Sequence, residues 1–212
     1  MRRCPVQARH VAGFTLIEAA VVLVVIGLIL GVVLQGQSLI RNAEYRSFKS
    51  QINDYQSAYY AFRDRYNALP GDMTASDANQ RLEDGINAGG NGNGIIDFQG
   101  GPQCSADSEE SCIVWQHLRA AGLIQGNPER QGEDASPSHT YAGVFSSMFT
   151  GSAGNNRFED KMLITGVPGD IASRLDNDLD DERPDRGRVS CNDCSGNEYP
   201  GQDEVVEVVF SL

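Results

Sequence analysis

The chain is short of the residues and patterns that most chemistry needs. It has three histidines, His10, His117 and His139, and one tryptophan. It contains no Walker loop, no G-x-G-x-x-G, no G-x-S-x-G and no H-E-x-x-H, so the common phosphate-cradling, dinucleotide, serine-hydrolase and zinc-protease arrangements are excluded. Serines and carboxylates are plentiful, but no spacing singles out a pair for acid–base work. Basic residues are also scarce, 17 against 29 acidic, for a net charge of −12. Such a surface repels nucleic acid, and no nucleic-acid partner is expected. These absences point to a structural or binding role, not an enzymatic one.

What is present is one long apolar run. Phe14 to Leu34 is almost free of polar side chains and, as a helix at 1.5 Å per residue, would extend about 31 Å, close to the ~30 Å hydrocarbon core of a bilayer. Arg2, Arg3, Arg9 and His10 precede it, which places the N-terminus on the cytoplasmic side. Glu18 interrupts the run near its start. A carboxylate inside a membrane helix costs a few kcal/mol or more unless it is paired, so Glu18 calls for a positive partner.

A secretory signal would be cut after its apolar middle at a small-x-small site. The residues after Leu34, Gln35-Gly36-Gln37-Ser38-Leu39-Ile40-Arg41, offer none. The small residue lies in front, in Gly13-Phe14-Thr15-Leu16-Ile17-Glu18. This stretch resembles the prepilin family, in which a short basic leader ends in glycine, phenylalanine follows, and a glutamate stands five residues after the glycine. The resemblance implies that a prepilin peptidase cuts between Gly13 and Phe14 and N-methylates Phe14. It also implies that Thr15 and Glu18 belong to the assembly segment, and that Glu18 pairs with the N-terminal amine of a neighbouring subunit. Loss of Arg2, Arg3 and Arg9 with the leader would leave the remainder more acidic still. Many filament-forming pilins carry a proline where this chain has Gln35, so the kink linked to that proline is not expected here.

The helix is expected to continue past the membrane. Tyr45, Phe48, Ile52, Tyr55, Tyr59, Phe62 and Tyr66 follow a 3,4 spacing that keeps one apolar stripe on one face. Leu69-Pro70-Gly71-Asp72 is the first strong stop, giving one helix from about Phe14 to Tyr66. A coiled-coil seam would share this period, but seven positions holding six aromatic residues fit packing on the subunit's own sheet better. Gly27 and Gly31 form a GxxxG that would let membrane helices approach closely, a weak signal alone.

After Pro70 the pattern predicts a short helix over Asp72 to Glu83 capped by Asp72, a glycine-rich loop over Asp84 to Gly101, and a helix over Ser111 to Ala121 stopped by Gly122. A polar loop follows over Gln125 to His139, then strands over Ala142 to Phe149 and Lys161 to Thr165. The second Pro-Gly-Asp, Pro168 to Asp170, reads as a turn and N-cap before a helix carrying Ile171, Ala172, Leu175 and Leu179. Glu204 to Phe210 reads as a final strand buried in the sheet. The class is α+β: a long N-terminal transmembrane-plus-amphipathic helix packed on a small antiparallel sheet with loop insertions, which fits the pilin fold. The expected organisation is a leader at 1–13, a transmembrane and assembly helix at 14–34, its continuation at 35–66 and an extracytoplasmic globular domain at 67–212.

Apart from Cys4 in the leader, the cysteines are Cys104, Cys112, Cys191 and Cys194, an even number in a region expected outside the cytoplasm. Of the three possible pairings, Cys104 with Cys112 and Cys191 with Cys194 is favoured, because each ties down a polar loop. A four-cysteine zinc site matches these spacings poorly. No resident cofactor is expected, although two segments present oxygen ligands suited to calcium: Asn91, Asn93 and Asp97 in the glycine-rich loop, and Asp176, Asp178 and Asp180 with Asp181 and Glu182 beside them. Neither has the full EF-hand pattern.

The expectation is thus a structural subunit of a type IV pilus or type II secretion pseudopilus. Its partners would be prepilin peptidase, other pilin or pseudopilin subunits and the inner membrane, crossed once with the C-terminal domain outside the cytoplasm. The alternative is a non-polymerising, membrane-tethered binding protein with an acidic extracytoplasmic domain.

Overall fold

The computed structural model describes residues 15–98, 104, 109–152, 158–194, 196 and 198–212. The chain divides into two compact units, Met1–Glu44 and Tyr45–Leu212. The boundary falls inside the first helix, α1 (Leu16–Tyr66).

In the first unit the described residues from Leu16 onward are helical, and their apolar side chains face outward: Leu16, Leu23, Val32 and Leu34 are all about two-thirds exposed or more. Among the described residues α1 is the one helix long and apolar enough to cross a membrane, and none of its most apolar window is buried by the protein itself. So much uncovered apolar surface needs lipid or other helices around it.

The second unit is built on a four-stranded antiparallel sheet, β1 (Val144–Ser152), β2 (Phe158–Pro168), β3 (Val189–Cys191) and β4 (Val205–Ser211), in the order β1-β2-β4-β3. The aromatic stripe of α1 packs against it. Tyr45, Phe48, Ile52, Tyr59, Phe62 and Tyr66 are buried and Tyr55 is half-buried, so this part of the stripe is consumed by the unit's own core. Phe48 and Tyr55 reach Phe145 of β1 at ring-centroid distances of 6.0 and 4.7 Å, and Tyr55 meets Trp115 edge-on at 5.3 Å. Each such buried ring contributes roughly 1.5–3 kcal/mol.

Helix α2 (Ala75–Arg81) is shorter than expected, and its cap is Thr74, whose Oγ1 accepts from Asp77 N at 3.3 Å, not Asp72. Asp72 is buried and otherwise engaged, as described below. Helix α3 (Glu110–Ala120) is buried around its whole circumference, polar residues included. Helix α4 (Gly169–Leu179) starts directly after Pro168, which makes no side-chain cap bond; Asp170 lies within the first turn and is not the cap. Inside the polar stretch after Gln125, Gly132–Ala135 forms a short 3-10 turn. Strand β4 alternates instead of being buried on both faces: Val206, Val208 and Phe210 point into the core, whereas Val205 is 63% exposed. The remainder of the glycine-rich loop, 99–101, lies outside the described residues.

Candidate functional site

Helix α1 opens with a side-chain cap. Thr15 Oγ1 accepts the backbone N–H of Glu18 at 3.3 Å, and Thr15 O accepts that of Ala19 at 3.2 Å. Thr15 thereby fixes the first turn and places Glu18 within it, where a negative charge opposes the positive end of the helix dipole. The carboxylate has no cation beside it among the described residues. Gly13 and Phe14 lie outside the described residues.

Comparison with known proteins bears on this segment. Residues 8–34 match the prokaryotic N-terminal methylation motif. The chain carries a prepilin-type N-terminal methylation motif. No curated protein and no solved structure matches the chain. With a long apolar helix and a small antiparallel sheet packed on that helix's continuation, the architecture is pilin-like.

Three buried side chains organise the loops after α1. Asp72 accepts N–H bonds from Asn93 and Gly94 at 2.9 Å each, one on either oxygen. Glu110, at the start of α3, accepts from Asn91 at 2.7 Å and from Asp97 at 2.9 Å. The glycine-rich loop therefore wraps two carboxylates and satisfies all four of their oxygens with backbone donors. A cation there would meet N–H groups where it needs oxygens, so Asn91, Asn93 and Asp97 read as a protein-satisfied turn. His117 completes the arrangement. Its Nδ1 accepts the N–H of Gly71 at 2.9 Å, so Nε2 carries the proton and donates to Ala88 O at 2.9 Å. Burial pushes the His117 pKa down to about 4. Gly71 has φ +91°, and a Cβ there would overlap Glu110 O and stand 2.8 Å from Val114, so no other residue fits this turn.

Phenol–carboxylate pairs fasten the second unit together. Tyr45 donates to Asp178 at 2.6 Å, and Lys49 pairs with the same oxygen at 2.9 Å. The Tyr45 hydrogen bond, followed by that from Lys49, holds the Asp178 carboxyl below its ordinary range. Tyr59 donates to Asp160 at 2.5 Å, and Tyr199 to Asp176 at 2.7 Å. Burial first and the adjacent carboxylate second push all three phenols above their ordinary pKa. Of the three aspartates expected to gather a cation, Asp178 is thus turned away toward α1. Asp176 and Asp180 lie together with Asp181, which takes its place.

Cys104 is joined to Cys112, and Cys191 to Cys194, with Cα separations of 5.5 Å in both. The first bridge is buried beside α3; the second is half-exposed at the end of β3. Thiol titration of the denatured, unreduced chain after leader removal should find none of these four thiols. Finding four would reject both bridges.

Asp72, Glu110 and His117 are not legible as a group from sequence. Their partners lie 13 to 46 residues away along the chain, beyond any local motif.

Proposed function

We propose that the chain is a structural subunit, a pilin or pseudopilin, of a type IV pilus or type II secretion pseudopilus, and that it has no catalytic role. Prepilin peptidase cuts after Gly13 on the cytoplasmic side and N-methylates Phe14. The apolar part of α1 then holds the subunit in the inner membrane as a single span, with the second unit outside the cytoplasm. During polymerisation the helix leaves lipid for a bundle of like helices. What carries this reading is the methylation motif over 8–34 joined to a Glu18 that has no cation beside it among the described residues, on an outward-facing apolar helix.

Mass spectrometry of the N-terminal peptide from native membranes should find a peptide beginning at N-methylated Phe14. An intact Met1 leader in cells with active peptidase would reject processing. Assembly is tested separately, by cross-linking engineered cysteines in α1 in intact cells. A ladder of oligomers is expected, whereas monomers alone would favour the non-polymerising tether.

A further inference from the structure

We propose that the cleft between the loop over 84–88 and the loop over 127–131, floored by α3, takes an arginine side chain presented on a peptide segment of a partner protein. This goes beyond the assembly role and does not depend on it. The cleft has a volume of about 680 Å³, within the range of ligand sites. Hydrogen bonds fix both of its walls. The N–H of Asp84 donates to Ala120 O at 2.9 Å, Asn79 donates to Asn87 Oδ1 at 3.1 Å, and His117 Nε2 donates to Ala88 O at 2.9 Å. On the other side Asn127 Oδ1 accepts the N–H of Glu129 at 2.9 Å, and Asn127 O accepts that of Arg130 at 3.3 Å. A site fixed in advance loses less freedom on binding.

Gln116 is what sets this cleft apart. It lines the floor and is only 3% exposed, yet its carboxamide has no hydrogen-bond partner among the described residues. Leaving a buried amide unpaired is costly, and packing alone would be served as well by an apolar side chain. Glu110 and His117 on the same helix are by contrast each engaged by two partners.

The remaining groups define the guest. Asp84 and Glu129 line opposite walls, and neither carboxylate has an ion pair or a hydrogen bond among the described residues. Arg119 and Arg130 are not part of the lining. The charge of the cleft therefore calls for a cation. A metal ion is poorly served, because no three metal-ligating side chains gather here among the described residues. A guanidinium fits better: it is planar, carries five N–H donors and no acceptor, and can share those donors between the two carboxylates and the Gln116 carboxamide oxygen. Ile86, Ala88 and Pro128 offer apolar surface to the methylenes of its stem. With Oδ1 of Asn87 and of Asn127 already engaged, their amide N–H groups remain to donate, and peptide carbonyls on either side of an arginine are the acceptors they suit. Acceptors for a guanidinium and donors for a backbone together favour an arginine within a peptide over a free amine.

The test uses the full chain in detergent and a capped pentapeptide with one arginine between glycines. Calorimetric titration should give one site with a Kd of about 10⁻⁴ M, as suits a cleft whose carboxylates stand at a solvated rim. Asp84→Asn and Glu129→Gln should each weaken binding about fivefold through the lost charge. Gln116→Met, which keeps the volume and removes the amide, should weaken it by about the same factor. The two exposed positions carry the test if the Gln116 variant fails to fold. Glu159→Gln, the same charge change on β2 away from the cleft, should leave the affinity unchanged. Replacing arginine by its neutral isostere citrulline in the peptide should cost about tenfold or more. Absence of binding at millimolar peptide would overturn the site, as would unchanged affinity in both Asp84→Asn and Glu129→Gln. Agmatine, a free guanidinium compound, binding as tightly as the peptide would overturn the peptide assignment.

Discussion

Glu18→Ala should be cleaved and methylated normally and yet be almost missing from assembled filaments. In a bundle of apolar helices the Phe14 ammonium of one subunit needs an anion. Removing one member of a desolvated ion pair costs about 3–5 kcal/mol, because the other is left charged and unpaired. That corresponds to a loss of about two to three and a half orders of magnitude in incorporation. Glu18→Gln should fare little better, since an amide supplies a hydrogen bond without the charge. The measurement is a comparison of sheared filaments with the membrane fraction by immunoblot, alongside mass spectrometry of the N-terminal peptide. Filaments containing Glu18→Ala at the normal level would refute the pairing role. A cleaved but unincorporated variant would separate assembly from processing, because Gly13 and Phe14 are untouched.

The second large effect is on acid stability. His117 is neutral and buried, with its pKa pushed down to about 4 from the ordinary 6.5. As pH falls below 6.5 the unfolded chain takes up a proton that the folded one refuses, so stability is complete above 6.5 and is lost progressively toward pH 4. A difference of this size amounts to about 3 kcal/mol. His139, whose Nε2 meets Thr165 O at 2.9 Å, is also held below its ordinary pKa by burial and acts in the same direction. Protonation of His117 at Nδ1 would remove the acceptor of the Gly71 N–H and oppose two donors across 2.9 Å. Melting temperature followed by circular dichroism from pH 7 to 4 should therefore fall steeply. His117→Gln should be less stable at pH 7 but show a shallower decline. An identical slope in both chains would remove His117 as the cause.

The parts of the fold that sequence patterns reveal are those set locally. The stripe from Tyr45 to Tyr66 repeats at helical spacing, and β1, β2 and β4 each hold a short apolar run bounded by polar residues, so a local window suffices. Caps are harder. Asp72 has the composition of an N-cap, but the amides that claim it belong to Asn93 and Gly94, and Thr74 caps α2 instead. Strand β3 is three residues long and exists through its pairing with β4, which no window around Val189 contains. The acidic cluster shows the same limit: spacing alone cannot tell that Asp178 turns toward Tyr45 and Lys49 while Asp181 turns back toward Asp176. At the N-terminus the position is reversed. Gly13 to Glu18 are contiguous, so the chain order by itself groups them.

The two phenol–carboxylate pairs on α1 have a mechanical consequence. Tyr45 and Tyr59 are 14 residues apart, about 21 Å along the axis, and each ends on a carboxylate from a different element, Asp178 on α4 and Asp160 on β2. Sliding by one helical turn would carry both hydroxyls about 5.4 Å from their acceptors at once, and rotation about the axis would pull them off sideways. Helix α4 and the sheet are thus both indexed to α1 like a nut on a thread. A pull along α1 is borne in shear by two charged hydrogen bonds and the rings between them.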